Sequence, residues 1–160
     1  MFENESVLNE FSCDYLKTIA NDLTDDDLDT ATNGKTPRWI LGHLRLVADM
    51  PRQMVGLQSQ LDEAWGASFG PGSNTESGNS PAFSVQQVVA DTVAAYQELV
   101  AAAQKADPES LAQPHGLELL ANTALKTRKD LISHLLATHI SFHLAQLSAC
   151  RQAKGLNHFF

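Results

Sequence analysis

His139 and His143 stand one helical turn apart toward the C-terminal end of this chain, and His43 occupies a comparable position far upstream. Over 129–154 a stripe at three-and-four spacing takes in Ile132, Leu135, Leu136, His139, His143, Gln146, Leu147 and Cys150, the pattern of an amphipathic helix that buries this face. At about 100° per residue, positions four apart differ by roughly 40°, so both rings reach a common point. His134 lies five residues before His139 and points about 140° away on a regular helix. A second stripe, Ile40, His43, Val47, Met50 and Met54, turns His43 inward too, while Arg38, Arg45 and Arg52 form a separate row that reads as a solvated face.

Three neutral imidazoles in an apolar core leave ring nitrogens without partners, at about 1–3 kcal/mol for each unsatisfied polar group. A divalent cation removes that deficit by taking one nitrogen of each ring, at about 2.0–2.1 Å for zinc, while the other nitrogen seeks an outer acceptor. The plainer reading is that each histidine is a core residue with its own hydrogen-bond partner, and spacing alone does not bring His43 to the other two.

The segment Trp39-Ile40-Leu41-Gly42-His43-Leu44 resembles the opening of helix 2 in the DinB-like (DinB/YfiT) metalloenzyme family. His134, His139, His143, Gln146 and Leu147, followed by Arg151, Gly155 and Leu156, are similar to that family's later histidine-rich helix. The resemblance implies an all-α four-helix bundle with long connections. It also implies a three-histidine site for nickel, zinc or another divalent ion, whose ligands fall here on His43, His139 and His143. These are the histidines that periodicity selects.

Three protein ligands leave a coordination position open, as in catalytic sites. Water bound there has its pKa lowered toward about 7 and supplies hydroxide; a substrate thiol bound there ionises. Both chemistries are attributed to the DinB-like group, so the expected function is a metal-dependent hydrolase or low-molecular-weight-thiol transferase. Two alternatives remain, a metal-binding protein without turnover and a metal-free helical interaction module. Ile140 stands where the zincin helix places its general-base glutamate, which disfavours a peptidase of that type. No general base can be named from the sequence.

The elements that must position these residues follow from the same periodicities. Helix 1 is expected over 5–23, burying Val7, Leu8, Phe11, Tyr15, Leu16 and Ile19. Thr36 caps helix 2 with Pro37 at its first position, and the helix is expected to run toward Leu61 with a kink at Pro51. Residues 66–82 turn to Gly, Ser, Asn and Pro and read as a long loop, either a lid over the metal pocket or a plain connector. Ser84 and Gln87 form a capping box for helix 3, which buries Val88, Val89, Thr92, Tyr96, Leu99 and Ala103 and ends at Asp107 and Pro108. An irregular crossover over 108–126 leads to the last helix, begun by Thr127 or Lys129 and stopped by Gly155.

A chain of 160 residues with 43% hydrophobic content supports one bundle domain over its full length, 1–160. No apolar run approaches the roughly 18 residues of a membrane span, and the start lacks a signal-peptide pattern, so a cytoplasmic protein is expected. A net charge of −8 repels phosphate backbones and argues against nucleic acid. The expected partners are a small-molecule substrate, a thiol among the candidates, and a second copy in a homodimer. Cys13 and Cys150 read as reduced thiols, with Cys150 a small buried hydrophobe on the histidine face.

Overall fold

The computed structural model describes residues 1–73, 80–157 and 159. Among these there is no strand, only isolated bridges from Thr32 to Lys35 and from Pro114 to Thr127. In chain order the helices are α1 (Glu3–Ala20), α2 (Pro37–Asp49), α3 (Glu63–Phe69), α4 (Val85–Ala103), α5 (Pro108–Leu111), α6 (Arg128–His134) and α7 (Ile140–Ala153). A π-turn, Leu135–His139, joins α6 to α7 in one long rod. That rod, α1, α2 and α4 close on one another: α1 lies against α4 and α7, and so does α2. This is the expected all-α four-helix bundle.

Helix α2 begins as its sequence requires, with the Thr36 hydroxyl accepting from the Trp39 amide and Pro37 in the first turn. It does not run on to Leu61. Pro51 cannot donate the next helical bond, so α2 stops at Asp49, a 3₁₀ turn covers Arg52–Val55, and Gly56 reverses the chain at a φ of 82°.

The arginine row of α2 is likewise not a solvated face. Arg45 is 6% exposed and Arg52 5%, because α2 packs against α3, α4 and α7 and is buried almost all round. Arg52 donates to the Gln58 carbonyl (2.7 Å) and to Glu98 on α4 (2.8 Å), and Arg45 donates to Gln60 (2.7 Å). Asp49 accepts from Ser59 and from the Gln60 amide, so these charges fasten the turn after α2 onto the bundle. Arg38 alone reaches outward, to Asp29.

Helix α1 buries the expected Leu16 and Ile19, but its N-terminal half buries a stripe other than the apolar one. Asn9, Ser12, Cys13, Leu16, Ile19 and Ala20 face inward, while Val7 is 66% exposed and Phe11 61%. The reason lies across the interface. A π-turn bonds i to i+5 and disturbs the regular carbonyl ladder, and the Asn9 amide donates 2.9 Å to the Leu136 carbonyl within it. A polar side chain therefore occupies the core position and turns the neighbouring apolar residues out.

Residues 66–82 are not wholly loop. Asp62 caps α3 through the Trp65 amide, and α3 ends in the fully buried Phe69, whose ring packs with Trp65 and Phe83. Helix α4 buries every residue named for it, and Ser84 accepts from the Gln87 amide, but the box is not reciprocal because the Gln87 side chain donates to Asp91; the helix ends at Ala103 and Pro108 opens α5. The crossover holds only α5 and a 3₁₀ turn, Glu118–Leu120. Thr127 and Asp130 form a reciprocal capping box at the start of the last rod. At its end Gly155, at a φ of 80°, lets Leu156 and itself donate to the carbonyls of Arg151 and Gln152, the paired bonds of a Schellman cap.

Replacing Asn9 with Ala leaves the Leu136 carbonyl buried without its donor. The expected outcome is a loss of about 1–3 kcal/mol of stability in denaturant titration, with helical content retained.

Candidate metal centre

His43 is fixed from three sides. The Trp39 ring, one turn earlier on α2, stacks on it with centroids 4.5 Å apart and planes 11° from parallel. Its Nδ1 lies 2.6 Å from the Phe69 carbonyl, which can only accept, so Nδ1 carries the proton and Nε2 keeps its lone pair. That carbonyl is in reach because α3 lies tight on α2 at Gly42: a Cβ there would meet the Phe69 ring at 2.5 Å. A glycine inside a helix ordinarily costs about 1 kcal/mol relative to alanine; here it makes room for the residue that orients the histidine.

His143 repeats the arrangement on α7. Its Nδ1 donates to the Gln146 side-chain oxygen at 2.9 Å, which leaves Nε2 as the acceptor nitrogen. His139 closes the π-turn one helical turn earlier, and its Nε2 sits 3.4 Å from Nε2 of His43. Each of the three rings presents a ligand atom within 4.8 Å of the others. The trio expected from sequence is thus assembled in space.

The donor set fits a cation. Burial pushes His139 down to about 3, reinforced by the neighbouring imidazoles, and His143 down to about 4, and it lowers His43 as well. All three rings are therefore neutral near pH 7, as ligands must be. The His43 Nε2 lone pair faces His139, while Nδ1 of His139 is buried without a hydrogen-bond partner. Whichever nitrogen of His139 holds the proton, one of its polar groups stays unsatisfied. A separation of 3.4 Å also matches two nitrogens that each sit about 2.0–2.1 Å from one tetrahedral ion.

His134 lies outside this trio but is not turned away from it. Its ring meets His139 edge to face with centroids 5.5 Å apart, and it lines the same cavity. The angular argument assumed regular α-geometry. In a π-turn the chain winds less per residue, so positions five apart approach one face. The hydrogen bond of His134 to Thr138 occupies its Nδ1.

The histidines open onto a cavity of about 770 Å³ between α2, the π-turn and the 3₁₀ turn of the crossover. Pro71 and Gly72 border it, so the stretch after α3 does reach the pocket; the lid expectation concerns a stretch whose residues 74–79 lie outside the described residues. Two contributors escaped sequence reasoning. The Phe69 carbonyl sits in a stretch read as loop, although Asp62 three residues before Trp65 is a cap signal. Glu118, the one carboxylate among the described residues of the lining, comes from the irregular crossover, where no periodicity points to it. Ile140, the residue in the zincin glutamate position, is fully buried in the core.

Two outcomes are expected. Gly42→Ala forces the Phe69 ring away and costs about 1–3 kcal/mol, read by denaturant titration, with partial recovery in the Gly42→Ala, Phe69→Leu double variant. For the metal-free protein, His139 and His143 titrate lower in the fold than the 6.5 of free imidazole. Below about pH 6.5 the unfolded chain takes up protons that the fold refuses, so stability is complete above that pH and falls as pH drops toward 4. Melting temperatures across this range should show that fall, and His139→Leu should flatten it.

No curated protein matches the chain. A family model described as the DinB superfamily matches residues 10–147, a span that includes all three histidines and Gln146. The chain belongs to the DinB superfamily.

Proposed function

We propose that this protein is a metal-dependent enzyme, a hydrolase or a transferase for a small thiol, built on one divalent ion at His43, His139 and His143, with zinc or nickel first among candidates. The observation that carries the reading is the pair of locked tautomers. The Phe69 carbonyl and Gln146 hold the Nδ1 protons of His43 and His143, which leaves their Nε2 lone pairs free, and one nitrogen of each of the three rings lies within 4.8 Å of the others. Such an ion, when bound, supplies an open position that lowers the pKa of water or of a thiol. The chain does the rest: Trp39 fixes the His43 ring by stacking, and the apolar wall of the cavity limits access of bulk water.

A binding protein without turnover uses the same ligands, and a catalytic panel separates the two. Both cysteines are free thiols, which favours a reducing, cytoplasmic setting, and no helix among the described residues is long and apolar enough to cross a membrane. A homodimer is part of the proposal, supported by the exposed Val7, Leu8 and Phe11 of α1 and Phe142 of α7.

Elemental analysis of protein purified without a histidine tag should find about one divalent ion per chain. Each of His43→Ala, His139→Ala and His143→Ala should weaken binding, the triple variant should abolish it, and His134→Ala should leave the stoichiometry unchanged. Chelation should remove the ion while circular dichroism stays helical, because the core is closed without it. Ester hydrolysis or thiol transfer should vanish with chelator and return with metal. A stoichiometric ion in the triple variant overturns the assignment.

A further inference from the structure

We propose that the substrate of this site is an apolar small molecule, an aliphatic or aryl body with a single thiol or ester head at the histidine end and no charged group along its length. The proposal rests on the metal reading above and narrows it. The cavity of about 770 Å³ is in the range of sites that enclose a whole small ligand. Its walls are Leu46, Val47 and Met50 from α2, Leu131 and Leu135 from the last rod, and Leu120 from the crossover. Several of these form their own small apolar cluster apart from the main core, packed with half-buried Met50 and Leu120. Leucine and methionine side chains that are half covered in this way are completed by a ligand's hydrocarbon.

The polar groups are segregated. His43, His134, His139 and His143 are gathered where α2 meets the π-turn, and among the described residues Glu118 is the only other ionisable one in the lining. Among the described residues no lysine or arginine is in the lining. A thiol carrying carboxylates, such as a γ-glutamyl peptide, would have to leave those charges along the leucine walls, away from Lys35 over the Trp39 ring at the histidine end and with Glu118 repelling them, which burial penalises heavily. A hydrocarbon body meets no such penalty, and each methylene it buries tightens binding by about fourfold.

The test uses the full chain loaded with zinc. Displacement of the neutral dye N-phenyl-1-naphthylamine, followed by fluorescence, is measured with n-alkanethiols from butanethiol to dodecanethiol and with glutathione. Affinity is expected to rise about threefold to fourfold per methylene until the cavity is filled, and glutathione is expected to displace no dye at concentrations where octanethiol saturates. Leu120→Asp, at the half-buried rim, should flatten the series while circular dichroism stays that of the parent. A flat series in the parent protein, or glutathione binding as tightly as octanethiol, overturns the proposal even where zinc is bound stoichiometrically. A protein that binds no zinc yet shows the same chain-length dependence keeps the apolar substrate class and overturns the metal reading instead.

Discussion

The contact between the Gly42 backbone and the Phe69 ring is the constraint on which the site depends. Because position 42 carries no side chain, α3 settles directly onto α2 and presents the Phe69 carbonyl to Nδ1 of His43. That single acceptor decides which nitrogen of His43 bears hydrogen and so which one faces His139 and His143. The same docking buries Phe69 among Trp65 and Phe83 and leads the chain on to Pro71 and Gly72 at the cavity edge. A fault at one backbone position in a helix would therefore reach the tautomer of a ligand, the seat of α3 and the rim of the pocket together.

The clustering of the three histidines was legible in the sequence because they stand at helical spacing in apolar stripes, and because α2 and α7 are adjacent rods of the bundle. Caps were legible too, since Thr36, Ser84 and Thr127 act on amides three residues away. What stayed hidden depended on distant partners. Arg45 and Arg52 look like surface residues until Gln58, Gln60 and Glu98 are brought to them. The outward turn of Val7 and Phe11 is set by the Leu136 carbonyl, which local periodicity in α1 cannot reveal.

The π-turn links these two outcomes. It frees the Leu136 carbonyl for Asn9, and it moves His134 toward the face that carries His139. The irregularity that misled the reading of α1 also enriches the cavity in imidazole. Regular α-geometry through Leu135–His139 would send His134 elsewhere and remove the reason for a buried asparagine in α1.

The first and last rods lie side by side in parallel, with bonds from Ser133 to Glu5, Asn9 to Leu136 and Arg151 to Asp22 that span 128, 127 and 129 residues of sequence. Helix α1 therefore emerges first during synthesis and waits for almost the whole chain before its interface exists. His43 waits in the same way, since its nearest histidine partner follows 96 residues later. Such non-local pairing makes closure a slow, late event. A nascent chain that has made α1 to α4 holds one of the three histidines, so the trio cannot template the early bundle. The histidine trio is then the last part of the site to assemble, on a scaffold whose other helices already exist, and any ion it took up would come from the pool present at that moment.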